Sequence, residues 1–95
     1  MRKFSLTRTR QLAVMHNIDL AIVPLDEFKD GLDIEREHLP YLTKHLPKSK
    51  LEDAVVEIAL AHLEEDPRYY FYLKKQEIKR DAYWSTRNKP RIYTD

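Results

Sequence analysis

The chain has 95 residues, 42% of them hydrophobic and 35% charged, with one glycine, no cysteine and a formal net charge of +1. That length holds one modest core and leaves no room for a second. Missing thiols exclude disulfides, thiolate metal sites and cysteine nucleophiles, and a lone glycine excludes both the P-loop and the dinucleotide fingerprint.

The near-zero charge conceals five blocks: +4 over residues 1–16, −5 over 17–37, +3 over 38–50, −6 over 51–66 and +5 over 67–95. Such blocks either face one another or create strong local fields. No segment reaches the roughly 18 consecutive apolar residues of a membrane span, and Met1-Arg2-Lys3 precedes no signal-type apolar run. The expectation is an intracellular protein, or one carried inside a virus particle, without a membrane role.

A first helix is predicted over 7–16, capped by Ser5 or Thr7 and ended by Asn17 in a left-handed conformation. Ile18 to Val23 then reads as a buried connection, since no partner strand exists elsewhere. A second helix fits 24–30, with Pro24 in its first turn and Asp26 and Glu27 beside its positive end. Gly31 falls where a C-terminal cap needs positive φ. Residues 32–48, with Pro40 and Pro47, read as irregular loop with one turn near Tyr41 to His45.

Ser49 and Glu52 have capping-box spacing ahead of an apolar run, which places a third helix over 49–65. Its apolar residues cover most of its circumference, so it is expected to lie at the centre. Asp66-Pro67 reads as cap and first position of a fourth helix over 67–84. Phe71, Ile78 and Ala82 form one stripe of this helix, expected to pack on the third. Residues 85–95 are expected to form an extended arm. The fold class is all-α: one domain of four helices over 1–84, with the fourth antiparallel to or steeply crossed on the third.

Three constellations bear on function. His62 lies beside Ile58 and Ala59 on an apolar face and must be partnered, with Glu37-His38 in reach from the preceding loop. Two imidazoles with carboxylates suit a divalent ion, Glu64 or Glu65 completing the set. The plainer reading is a hydrogen-bonded pair that ties the loop to the core. Tyr69, Tyr72, Gln76, Arg80, Tyr83 and Trp84 share a second face of the fourth helix, which either packs internally on the first helix, the plainer reading in a small core, or composes with Arg87 and Arg91 of the arm a candidate protein-binding surface. Lys74, Lys75, Lys79 and Arg80 among aromatics suit nucleic acid, or pairing with the acidic third helix. No serine is placed for a nucleophile triad and no carboxylate pair marks a cleft, so no catalytic residue is expected.

The segments Phe28-Lys29-Asp30-Gly31-Leu32-Asp33-Ile34-Glu35-Arg36-Glu37-His38 and Ile58-Ala59-Leu60-Ala61-His62-Leu63-Glu64-Glu65-Asp66-Pro67-Arg68-Tyr69-Tyr70 resemble a small uncharacterised domain family of bacterial and viral genomes. Its pattern is F-x-x-G-M-x-V-E-x-E-H-G, then I-A-L-A-H-L-x-E-x-P-x-Y-Y, and this chain departs from it at Leu32 and Leu39. The resemblance implies that Glu35, Glu37, His38, His62, Glu65 and Tyr70 form one spatial cluster. It implies no activity.

The leading expectation is a non-catalytic interaction or structural protein without a cofactor. It would associate with a protein partner or with itself, and larger assemblies, viral or phage ones among them, suit it. The alternatives are a divalent-metal-binding domain using His38 and His62, and a nucleic-acid-associated accessory protein.

Overall fold

A computed structural model describes residues 3–87, with the backbone alone for residues 80, 81, 83 and 84. Helices α1 (Leu6–Met15), α2 (Leu25–Glu35), α4 (Leu51–Glu65) and α5 (Tyr69–Trp84) make up the domain, with a single turn α3 (Leu39–Leu42) between α2 and α4. No strand occurs among the described residues. The all-α class with four principal helices is therefore as expected. Ser85 to Arg87 follow α5 as exposed turn residues, and the remainder of the expected arm lies outside the described residues.

Helix α1 begins where Ser5 Oγ accepts the Arg8 amide at 3.0 Å, and it ends at Asn17, which takes φ 55°. Asparagine tolerates that left-handed geometry better than any β-branched residue. The following connection is less buried than expected. Asp19 folds it tightly, its side chain accepting the Ala21 amide and its carbonyl the Ile22 and Val23 amides. Ile18 and Val23 consequently pack on the core while Leu20 and Ile22 stay exposed.

The central helix is α2, not α4 as the apolar content had implied. It packs against α1, α4 and α5, and it contributes Phe28 and Leu32, both fully buried. Leu12, Ala13, Val55, Val56, Ala59, Leu63 and Tyr70 close the core around them. Helix α2 also runs on to Glu35, through the position where Gly31 was expected to stop it. Gly31 has no positive φ. Its role is close approach: a Cβ there would sit 2.7 Å from Tyr70 Cδ2 and closer still to Cε2. The loop expected over 32–48 is correspondingly more regular, with a 3₁₀ turn at Arg36–His38 leading into α3.

The expected capping box of α4 is absent. Residues Lys48–Lys50 form a 3₁₀ turn closed by the Lys50 amide on the Pro47 carbonyl, and α4 starts at Leu51 without a side-chain cap. Glu52 is thereby free to meet Arg8 of α1, its Oε2 accepting from Nε at 3.2 Å. Together with Lys74–Asp30, at 2.7 Å between α5 and α2, this replaces the expected pairing of the basic helix with the acidic one. The Phe71/Ile78 stripe does not pack inward either: Phe71 is 38% and Ile78 69% exposed, while Tyr70 is completely buried.

Gly31→Ala separates the two roles of this glycine. Helix propensity favours alanine by about 1 kcal/mol, whereas overpacking against a fully buried ring costs about 1–3 kcal/mol. The expected result is a net loss of up to about 2 kcal/mol, read as a lower denaturation midpoint at unchanged slope; a gain would show that the ring can retreat.

Candidate functional site

Glu27, Gly31 and Glu35 recur every four residues and so share one face of α2. Tyr70 lies along that face. Its amide donates to Glu27 Oε1 at 2.8 Å, its ring covers Gly31, and its hydroxyl reaches the Glu35 carboxylate region. Glu27 also accepts the Phe71 amide at 3.2 Å. Since Asp66 takes the Arg68 amide on its side chain and the Tyr69 amide on its carbonyl, every donor at the start of α5 is satisfied. A helix end buried against another helix requires such an accounting. Glu27 is thus the buried cap of a different helix, not a companion to the dipole of its own. Helix α5 starts at Tyr69, two residues after the expected Pro67.

At the other end of the face, Glu35 is only 4% exposed and stands between two imidazoles. His38 Nε2 lies 3.6 Å from Oε1, and His62 Nε2 lies 3.6 Å from Oε2. Glu37 Oε1 is 3.9 Å from His38 Nε2, and Glu65 Oε2 is 3.9 Å from His62 Nδ1. All six residues of the motif cluster therefore converge, across three separate segments of the chain. Glu64 does not join them; it borders a groove beside His16 and Ile22.

Three polar atoms at this place, Glu35 Oε2, His62 Nδ1 and Tyr70 Oη, are buried without a partner at hydrogen-bond distance and angle. Leaving such a group without a protein partner costs about 1–3 kcal/mol, so three together set this corner apart from the rest of the core. The Tyr69 ring stacks on His62 at 4.3 Å and 10°, and meets the Tyr70 ring edge-on at 5.0 Å. These contacts fix the imidazole plane, so His62 presents Nε2 to Glu35. Burial foremost, then the Glu35 charge, pushes the Tyr70 phenol far above its usual range, and it stays protonated.

Glu35, Glu37 and His38 each offer one ligand atom, all within 4.8 Å of one another. A tetrahedral ion with bonds of about 2.0–2.2 Å sets its ligand atoms about 3.3–3.6 Å apart. The spacings of 3.6 and 3.9 Å are near that edge length and beyond an ordinary hydrogen bond.

The expected protein-binding face fares differently. Tyr69, Tyr72 and Gln76 border one cleft of about 220 Å³ with Asp66 and Leu73, yet Tyr69 belongs equally to the histidine cluster. Arg87 is exposed. The side chains of Arg80, Tyr83 and Trp84, and Arg91 as a whole, lie outside the described residues.

The retained phenol proton has a consequence above pH 10. An unfolded tyrosine ionises near about pH 10, while folded Tyr70 does not, so its contribution is complete below that pH and declines above it. In a spectrophotometric titration of the six tyrosines, one phenol should ionise only as the fold is lost, and Tyr70→Phe should abolish that step.

Residues 9–79 match the family described as protein of unknown function, DUF5661. No curated protein and no solved structure matches the chain.

Proposed function

For this chain, which belongs to the DUF5661 family, we propose divalent-cation binding, with Glu35, Glu37 and His38 as ligands and His62 orienting the Glu35 carboxylate. One observation carries the reading: the carboxylate of a residue only 4% exposed, with one oxygen outside hydrogen-bond geometry to every described protein group, faces two imidazoles at 3.6 Å. A buried carboxylate flanked by imidazole nitrogens at this spacing is poor as a hydrogen-bond network and good as a ligand set. Mixed oxygen and nitrogen donors suit Zn²⁺, Mn²⁺ or Fe²⁺ over Ca²⁺.

The division of labour follows from position. Glu35 stands on the last turn of α2 and is held by the core. Glu37 and His38 stand on the 3₁₀ turn immediately after it, and the three ligand atoms lie within 4.8 Å of one another, so the turn must tighten to close the ligand triangle. His62 comes from α4 and is clamped by Tyr69, so it acts as the outer partner that aims Glu35 Oε2. With three protein ligands the ion keeps positions for water or another ligand. Tyr70, still protonated, brings its hydroxyl to the side of the Glu35 carboxylate.

Calorimetric titration of chelator-treated, tag-free protein should show one Zn²⁺ or Mn²⁺ per chain, and a stability gain of about 2.7 kcal/mol at ion concentrations a hundredfold above Kd. Glu35→Gln should abolish binding while the helical circular dichroism persists, since it removes a buried charge that has no hydrogen-bonded partner at Oε2. His62→Ala should weaken binding about 10–100-fold. Wild-type protein that takes up no ion, or a Glu35→Gln variant that unfolds without metal, would favour the plainer structural pairing of the two histidines.

A further inference from the structure

Helix α5 turns outward a face that is basic and apolar together. Arg68, Phe71, Lys75, Ile78 and Lys79 follow spacings of three and four along it, and all five are exposed. Arg68 and Lys75 sit on the Phe71 ring, 4.9 and 4.5 Å from its centre. None of the three cations makes an ion pair with a described residue. Helix α4 has the opposite face: Asp53, Glu57 and Glu64 share an exposed side, and no lysine or arginine occurs in the helix. Asp53 feels Arg8 only at a distance, and neither Glu57 nor Glu64 has an ion pair among the described residues.

We propose that these two faces meet between two copies of the chain, α5 of one lying antiparallel on α4 of the other. The spacing carries the register. Acids separated by four and then seven residues (53, 57, 64) face cations separated by four and then seven when read backwards (79, 75, 68). Asp53 thus meets Lys79, Glu57 meets Lys75 and Glu64 meets Arg68. In the same register Phe71, the exposed ring on which Arg68 and Lys75 both sit, falls opposite Ala61, an exposed small residue of α4. Ile78 falls opposite Ala54. Bulk on one face thus meets small residues on the other, and charge meets opposite charge at three consecutive places.

Each copy carries both faces, so two reciprocal contacts close a two-fold dimer. Exposed ion pairs are individually weak and screened by salt, so the dimer is one of low ionic strength and high concentration. It does not depend on the cation site, whose residues lie on α2, the turn after it and the inner side of α4.

Sedimentation equilibrium of the full chain with chelator present tests the pairing. At low salt the expected state is a dimer that dissociates at least tenfold more readily in about 0.5 M salt. Lys75→Glu with Lys79→Glu should be monomeric, as should Asp53→Lys with Glu57→Lys, each with unchanged helical circular dichroism. Mixed in equal amounts, the two variants regain complementary faces and should form the heterodimer. A wild type that stays monomeric at low salt, or variants that fail to recombine, would overturn the proposal. So would a monomer whose Lys75 and Lys79 instead retain a single-stranded oligonucleotide.

Discussion

Tyr70 on the Glu27–Gly31–Glu35 face of α2 is the contact on which the remaining arrangement rests. One residue of α5 spends its amide, its ring and its hydroxyl on three successive turns of a single helix. The amide end fixes where α5 begins. The ring demands a helix surface without a side chain, and only glycine supplies one. The hydroxyl end brings a polar group to the place where Glu35 is buried. The rigid ring fixes the distance between the amide end and the hydroxyl end, so the start of α5 and the buried Glu35 are set by one side chain.

This arrangement explains why two carboxylates on one helix face have different fates. Glu27 accepts two backbone amides at a helix N-terminus, where a negative charge is stabilised by the aligned dipoles and by direct hydrogen bonds. Glu35, eight residues on, is buried to nearly the same degree but has imidazoles at 3.6 Å in place of amides below 3.3 Å. Burying a carboxylate without full hydrogen bonding is costly, and the chain does so at a corner where α2, its following turn and α4 converge. The expense is local, and the imidazoles and carboxylates around it are what the proposed cation site rests on.

Much of this was readable in the residues. Ser5 as cap and Asn17 as left-handed stop followed from local backbone chemistry, which a single sequence carries in full. Convergence of Glu35, Glu37, His38, His62, Glu65 and Tyr70 was readable only through the paired motifs, since no spacing rule links α2 to α4. Gly31 was misread because an isolated glycine has two explanations, positive φ and close approach, and only the position of Tyr70 distinguishes them. A signal for the second was present: Glu27, Gly31 and Glu35 lie four apart, so the glycine occupies the middle of a face, not the end of a helix. Glu27 was misassigned for a related reason, as a carboxylate in the first turn of its own helix satisfies the dipole rule whether or not it points elsewhere. Ser49 shows the opposite failure, a correct cap spacing displaced by a 3₁₀ turn that Pro47 initiates. The apolar wrap of α4 misled about the centre because alanines inflate it; Ala61 is exposed and Ala54 only half-buried.

Charge sorting reads differently once the internal partners are known. Of the acidic residues in α2, Glu27 is committed to the α5 amides, Asp30 to Lys74, and Asp33 to Lys29 and the Phe4 amide. The acidic block of residues 17–37 is thus largely satisfied within the fold. The block of residues 51–66 is not: Glu52 meets Arg8, and the outward side of α4 keeps its charge. A similar surplus of opposite sign remains on α5. Two unlike charges are left on neighbouring helices of one chain, each spaced to match the other in reverse, and no ion pair joins the two helices among the described residues. A second copy lets them pair, and near-neutrality then describes the pair as well as the single chain.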